Sequence, residues 1–265
     1  MWHNSFNYCC FFAVSAFLAN NELIGIWTGG VMWKNWFKNI ASRKKEYDYD
    51  PMGEYIASVC SNIRSRQRLK KSLKEVTYCV IDLETTGLNV EQDVIINAAA
   101  VKIKRGKITK IYEAYIKPSM PIPVESIQWH GITDAMLQDK PSIGEVLPEF
   151  LAFIGDSVVT GHHINFDIKM IERHLQETYG ATIDGAPWLD TMLLHKLVME
   201  NNSNTELDDL LDVYVVDCNE RHRALGDAVA TAKVLLRILH ELSSSYQTLN
   251  DLFRAQQDIS RKDNL

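Results

Sequence analysis

The sequence predicts an α/β fold built on a mixed sheet, with helices on both faces and a mostly helical N-terminal extension. Short apolar runs rich in β-branched residues occur at 77–83, 94–104 and 108–117. The short turns between these runs predict three strands that pair antiparallel. Beyond a cluster of prolines at 118–123, helix and strand patterns alternate, which is typical of parallel strands added to the same sheet.

The later elements follow in order along the chain. Ser142 and Glu145 form a capping-box pattern at the start of a helix, and Pro148 predicts a kink or a later start in that helix. Gly180 ends the helix that follows the next strand, and the polar segment after Ser243 is expected to fray. The sequence predicts helices at 52–60, 61–74, 142–154, 167–179, 190–199, 206–214 and 224–242, and a buried strand at 157–161.

The charge distribution divides the chain into an extension at 1–75, a main domain at 76–242 and a polar tail at 243–265. The formal net charge is −6, but residues 34–75 hold 11 Lys/Arg against 5 Asp/Glu, which leaves 76–265 with a net charge of −11. Basic runs in the extension predict either phosphate contacts or a solvated helix face. An acidic domain still binds a polyanion when metal ions neutralise its carboxylates, so charge alone does not decide the partner.

The cysteines indicate a reducing compartment. There are 5 of them, scattered and without a CxxC pair, so the sequence indicates neither a disulfide framework nor a zinc site. We therefore expect a cytoplasmic protein. The apolar run at 8–18 is too short to cross a bilayer unaided and follows no basic segment, so no stable membrane partner is expected. Met32 offers an alternative start in keeping with that expectation.

Four carboxylates lie at the ends of predicted elements. Asp82 and Glu84 are two residues apart at the end of a strand and therefore share a face of it. Asp167 and Asp227 each lie in the first turn of a helix, and His222 precedes Asp227 by five residues. Each alone is explained as a solvated strand end or a helix N-terminal residue. Together they suit hard divalent cations such as Mg²⁺ or Mn²⁺, and His222 suits proton transfer.

Three motifs resemble those of a known family. IDLETTGL (81–88), HHINFD (162–167) and HRALGD (222–227) resemble the exonuclease motifs of the DEDDh 3′→5′ exonuclease superfamily. The resemblance covers about 76–242 and is greatest to the proofreading epsilon subunits of bacterial DNA polymerase III and their stand-alone relatives. It implies an RNase H-like fold. WHGIT (129–133), WLDT (188–191) and LDDLLDVY (207–214) support it.

The resemblance also implies roles for single residues. Asp82, Glu84, Asp167 and Asp227 would be ligands of two divalent cations, Mg²⁺ or Mn²⁺, and His222 would be the general base. Thr85 and His162 would contact the substrate, whereas His130 is interpreted as structural. His222 stands five positions before Asp227, as in the histidine branch of the superfamily; the tyrosine branch places its base where this chain has Arg223.

The sequence departs from the family pattern at two places beside these motifs. Asn97 stands where relatives usually have Glu, and His163 stands where Asn is usual. Neither changes the five central residues, so the departures bear on substrate preference.

The function predicted on this basis is hydrolysis of the 3′-terminal phosphodiester of single-stranded DNA, with release of 5′-mononucleotides. The expected partners are DNA with a free 3′ end, with RNA possible, and a DNA polymerase. Two alternatives stay open: an exonuclease that trims RNA 3′ ends, which differ by a 2′-hydroxyl, and a non-catalytic module that binds nucleic acid or polymerase. Retention of all five central residues argues against the second alternative.

Overall fold

The computed structural model describes residues 50–199 and 205–263, together with the backbone of 16–19 and 22–27. Within these residues the sheet has the order β1-β2-β5-β4-β3-β6-β7. The strands are β1 (Ala16–Ala19), β2 (Glu22–Trp27), β3 (Thr77–Thr85), β4 (Ile95–Lys104), β5 (Lys107–Tyr115), β6 (Val158–Gly161) and β7 (Trp188–Asp190). β3, β4 and β5 pair antiparallel, and β6 and β7 continue parallel to β3. The predicted mixed sheet is therefore confirmed.

Two strands lie in the N-terminal extension, which was expected to be mostly helical. β2 pairs parallel with β5 and β1 pairs antiparallel with β2. The isoleucines and the tryptophan of β2 are residue types that favour strands. Most of the apolar run at 8–18, and Met32 with it, lies outside the described residues.

The hairpin between β4 and β5 turns at Arg105 and Gly106, whose φ angles are +52° and +74°. Two-residue turns with both φ angles positive match the twist of the strands that they join. The predicted hairpin loop is thus confirmed.

Helices cover both faces of the sheet. They are α1 (Pro51–Arg64), α2 (Val124–His130), α3 (Asp134–Leu137), α4 (Ile143–Ile154), α5 (Asn165–Tyr179), α6 (Thr191–Val198), α7 (Leu207–Val213), α8 (Ala224–Leu242) and α9 (Leu249–Asp263). Tyr78 and Val80 of β3 face a core shared with α6 to α9, whereas Cys79 and Ile81 face a core shared with α1, α4 and α5. This alternation follows from the two-residue period of a strand.

Helix α4 begins with the predicted capping box and runs through Pro148 without a break. A proline inside a helix cannot donate to the carbonyl four residues earlier, here that of Gly144. The hydroxyl of Tyr179 donates to this carbonyl from α5. The neighbouring helix therefore satisfies the group that Pro148 leaves without an intrahelical partner.

Hydrogen bonds of Arg68 link the segment before β3 to the main domain. The sequence predicted helices at 52–60 and 61–74; the structure has one helix, α1, and a 3₁₀ turn at Gln67–Lys70. Arg68 lies in that turn, is 6% exposed, and lowers its burial cost by donating to backbone carbonyls. The acceptors are the carbonyls of Asn62, Ile63, Ser65, Asp156 and Ser157. The guanidinium of this basic residue is therefore buried, with its N–H groups used within the fold.

Most of the segment after Ser243, Leu249–Asp263, is a helix, so the expectation that this segment frays was wrong. Leu249 and Leu252 of α9 are fully buried in the core, because this segment has apolar side chains on one face despite its polar composition. Gln256 of the same helix accepts from the backbone N–H of Asp190 at 2.8 Å and donates to the carbonyl of Trp188 at 3.1 Å. The side-chain amide thus completes the hydrogen bonding of β7.

Two short helices, α2 and α3, were not predicted. They follow the prolines and pack Ile132 and Leu137 with Ile96 of β4 in a small third core. Gly131, with φ +70°, ends α2 in the left-handed conformation that glycine adopts most readily. In 50–199 and 205–263, the parts of the chain described with side chains, no helix is both long and apolar enough to cross a bilayer.

Candidate active site

Strand β3 delivers two carboxylates to one face of the sheet. Asp82 pairs with Ala99 of β4 and Glu84 with Asn97, and a register shift after Glu84 ends the regular pairing. Leu83, between the two acids, joins the core on the opposite face. Both carboxylates therefore point toward the face covered by α8, which carries Asp227.

The loop before α8 approaches the helix closely. A Cβ on Gly226 would overlap the backbone carbonyl of Glu220, so only glycine fits at this position. The backbone N–H of His222 donates to Asp227 Oδ2 at 3.0 Å. The guanidinium of Arg221 donates to Asp227 Oδ1 and, at 2.6 Å, to Asp208 Oδ1 of α7. Asp227 thus orders the loop that carries the predicted general base.

Folding brings the predicted carboxylates together. One oxygen each from Asp82, Glu84 and Asp227 lie within 4.8 Å of one another, close enough to share a metal ion. Asp167, at the start of α5, lines a cleft of about 600 Å³ together with Asp82 and Glu84. We call Asp82, Glu84, Asp167 and Asp227 the acidic cluster.

The electrostatics of the acidic cluster favour a bound cation. Burial raises the pKa of Asp82 far above its ordinary value, and the charges of Asp167, Glu84 and Asp227 raise it further. Burial and the charge of Asp227 raise the pKa of Glu84 to about 7. Burial also raises the pKa of Asp167 and of Asp227, in the latter case against the charge of Arg221. Crowded carboxylates of this kind become stable anions when a divalent cation lies among them, so the donor set fits such an ion.

Asp190 positions the segment that leads to Asp167. It ends β7, is almost fully buried, and accepts from the backbone N–H groups of His163, Ile164 and Met192 at 3.2, 3.1 and 2.9 Å. It therefore caps α6 and fixes the turn between β6 and α5, in which His163 has a φ of +52°. The WLDT motif at 188–191 pointed to this position, but the role of Asp190 was not predicted.

The two residues predicted to contact the substrate both line the cleft. Thr85 Oγ1 donates to the carbonyl of Gly87 at 2.6 Å and fixes the turn after β3. His162 Nδ1 lies 3.0 Å from Thr191 Oγ1, while its Nε2 is buried without a hydrogen-bond partner among the described atoms. Burial lowers the pKa of His162 to about 3, so its ring is neutral at neutral pH.

His222 does not line the cleft itself but lies beside an exposed tryptophan that does. Its backbone φ is +60°, and its exposed ring lies edge-on to Trp129, with ring centroids 5.9 Å apart. Trp129 lines the cleft and is 72% exposed. His130, its neighbour, accepts from the backbone N–H of Ile132 at 3.0 Å, in keeping with the structural role expected of it. Sequence reasoning noted the WHGIT motif but missed Trp129, Arg221 and Asp208.

The mixed sheet, the acidic cluster where β3 ends and the nearby His222 together define a nuclease of RNase H-like fold. The chain belongs to the exonuclease family, whose sequence pattern matches residues 79–235. This confirms the family resemblance on which the site prediction depends.

Individual relatives agree with this family assignment. DNA polymerase III subunit epsilon from Aquifex aeolicus is 37% identical over 179 residues, which cover 68% of this chain and 88% of that protein. A PolC-type DNA polymerase III from Thermotoga maritima is 40% identical over 165 residues, 62% of this chain but 12% of that polymerase. Among solved structures, exonuclease X in complex with 5′-overhanging duplex DNA superposes with a TM-score of 0.54 at 26% identity, over 68% of this chain and 99% of its own.

Proposed function

We propose that this protein is a 3′→5′ exonuclease that hydrolyses the 3′-terminal phosphodiester of DNA and releases 5′-mononucleotides. The observation that carries the proposal is the convergence of Asp82, Glu84 and Asp227 within 4.8 Å beside the cleft lined by Asp167. We infer that Asp82 takes part in two ligand groups, one with Glu84 and Asp227 and one with Asp167. Two divalent cations, Mg²⁺ or Mn²⁺, bound there would lower the pKa of a water molecule and stabilise the departing oxygen.

The remaining residues supply proton transfer and substrate contacts. His222, exposed beside the cleft-lining Trp129, accepts the proton of the attacking water. Thr85 and His162 hold the terminal nucleotide from the floor of the cleft, where the neutral ring of His162 adds no charge. The exposed indole of Trp129 provides a flat apolar face on which a nucleobase stacks without regard to sequence.

A cleft with these contents suits an unpaired 3′ end better than a duplex. The cleft is about 600 Å³, which accommodates one or two nucleotides, and its contacts are a stacking surface and metal ligands. We propose a DNA polymerase as the protein partner, because the epsilon relative is by its name a polymerase subunit and the PolC-type relative carries the matching segment within a polymerase.

The test is a degradation assay on oligonucleotides labelled at the 5′ end. DNA with single-stranded, paired and mismatched 3′ ends, and RNA of the same sequences, would be incubated with the protein in Mg²⁺, Mn²⁺ or EDTA. We expect stepwise shortening of the DNA from the 3′ end in either metal and none in EDTA. Asp82→Asn, purified in parallel, excludes a contaminating nuclease.

Two results would change the proposal. Faster shortening of RNA than of DNA would make the protein an RNA-trimming enzyme with the same site. No shortening of any substrate, at metal concentrations that saturate the protein, would show a binding module that retains the fold.

A further inference from the structure

The guanidinium of Arg221 places a positive charge beside the acidic cluster, in contact with Asp227. It joins two helices, because Nη1 donates to Asp227 Oδ1 of α8 while Nε donates to Asp208 Oδ1 of α7 at 2.6 Å. The planar fork of arginine suits such a bridge between two carboxylates. Asp208 is exposed and lies outside the acidic cluster, so it acts as the outer support of the guanidinium.

Both oxygens of Asp227 already accept a hydrogen bond in this arrangement. Oδ1 accepts from Arg221, and Oδ2 accepts from the backbone N–H of His222 at 3.0 Å. Yet an oxygen of Asp227 also belongs to the trio within 4.8 Å that suits a metal ion. A divalent cation and the guanidinium therefore require the same carboxylate, and as two positive charges they repel each other.

We propose that Arg221 occupies the place of a cation in the metal-free protein, so that a divalent ion binds the trio only by taking Asp227 from it. This inference rests on the proposed function, since it concerns the same metal site. Arg221 is thus a positioning residue that acts through Asp227. It stabilises the acidic cluster when metal is scarce and weakens the binding of the ion at Asp227.

The first test measures metal affinity without any turnover. Mn²⁺ binding to the full chain at pH 8, where Glu84 is ionised, would be followed by calorimetry and by electron paramagnetic resonance. We expect Arg221→Gln to bind its weaker Mn²⁺ ion about tenfold more tightly, because a unit charge beside a divalent ion has an effect of this order even when well screened. Arg221→Lys keeps the charge and is expected to stay near the wild-type affinity.

The matched control is Arg223→Gln, which removes the same charge two residues away; among the described residues, the side chain of Arg223 makes no hydrogen bond or salt bridge to Asp227, which donates only its backbone N–H to the Arg223 carbonyl. Its Mn²⁺ affinity should change less than about twofold. Unchanged or weaker Mn²⁺ binding by Arg221→Gln would overturn the inference while leaving the metal site intact. Absence of Mn²⁺ binding in the wild type, with Asp82→Asn indistinguishable from it, would overturn the inference and the proposed metal site together.

Thermal unfolding distinguishes this role from a merely structural one. In EDTA, Arg221→Gln should unfold at a lower temperature than the wild type, because the cluster has lost its internal cation. With saturating Mn²⁺ that difference should vanish or reverse. An equal fall in the unfolding temperature under both conditions would show that Arg221 only supports the loop, and would contradict the inference.

Discussion

The acidic cluster and the guanidinium of Arg68 are both buried charges, and they lie at opposite ends of β6. Arg68 binds the carbonyls of Asp156 and Ser157 just before this strand, and the turn after it leads to Asp167. The guanidinium of Arg68 donates to five backbone carbonyls. The carboxylates of the cluster instead have raised pKa values and lie close to one another at a cleft. A buried charge whose hydrogen bonds are all met within the fold supports structure, whereas four crowded carboxylates with one guanidinium among them are available to a ligand.

The most severe test of this contrast is Asp82→Ala. We expect turnover to fall about 10³-fold or more, because Asp82 belongs to both proposed ligand groups and metal stabilisation of charge is worth several kcal/mol. The unfolding temperature in EDTA should not fall, since a strained carboxylate is removed. Turnover and unfolding would be compared with Asp139→Ala, which changes an exposed aspartate. Mg²⁺-dependent cleavage near the wild-type rate would contradict the ligand set.

His222→Ala separates the base from the ligands. Loss of a general base typically costs about 10²–10⁴-fold in rate, so kcat should fall within that range. Mn²⁺ affinity should stay nearly unchanged, because the imidazole is not among the carboxylates that share the metal. His240→Ala, an exposed histidine near the end of α8, is the control. A variant with wild-type turnover would remove the assignment of His222 as the base.

Arg68→Ala tests the other side of the contrast. Several backbone carbonyls would lose their donor, which should lower the free energy of unfolding by about 3 kcal/mol. For a chain of this size that corresponds to a fall of about 6–12 °C in the unfolding temperature. Turnover below the transition should be unaffected. Arg64→Ala, an exposed arginine of α1, should change the stability by about 0.5 kcal/mol or less. Equal stability of the two variants would show that the Arg68 bonds contribute nothing net.

Glu84→Gln, besides weakening the proposed metal site, gives the smallest expected effect on stability, and that effect depends on pH. The pKa of Glu84 is about 7 in the fold against an ordinary value of 4.5, so the folded state holds this proton more tightly than the unfolded state. Its contribution to stability is present below pH 4.5 and is lost as the pH rises toward 7. In EDTA, Glu84→Gln should therefore gain stability relative to the wild type as the pH rises from 4.5 to 7.5.

Comparison of the unfolding of Glu84→Gln with that of the wild type provides an internal control. Buried histidines such as His162 titrate in both proteins and cancel in the difference, which leaves Glu84 and the two carboxylates whose pKa values its charge raises, Asp82 and Asp167. Saturating Mg²⁺ should remove the advantage of the variant at pH 7.5. A difference that does not vary with pH would show that the carboxyl of Glu84 has an ordinary pKa.

Local signals predicted most of the sheet and the central site residues. Alternating apolar runs located β3, β4 and β5, and three motifs identified every member of the acidic cluster. Helices α2 and α3 were missed because their apolar residues are few and follow three prolines, so their burial depends on contact with β4. Helix α9 was missed because its composition is polar, and only the fold shows which side of it meets the core.

The supporting residues of the site could not be found from the sequence for a related reason. Arg221 and Asp208 are 13 positions apart and meet only when α7 and α8 pack together. Arg68 stands in a basic run whose pattern is the same for a solvated arginine and a buried one. Pairing of this kind is set by tertiary geometry, and no local spacing in the chain records it.

The amide of Gln256 has a consequence for how copies of this protein behave toward one another. Strand β7 is three residues long and borders the sheet, and an open border of this kind invites a strand from another molecule. The side chain of Gln256 already makes hydrogen bonds to the N–H of Asp190 and the carbonyl of Trp188, the two groups with which such a strand would pair. A chain shortened before Leu249 would expose these two backbone groups to other molecules, so α9 covers the border of the sheet as well as part of the core.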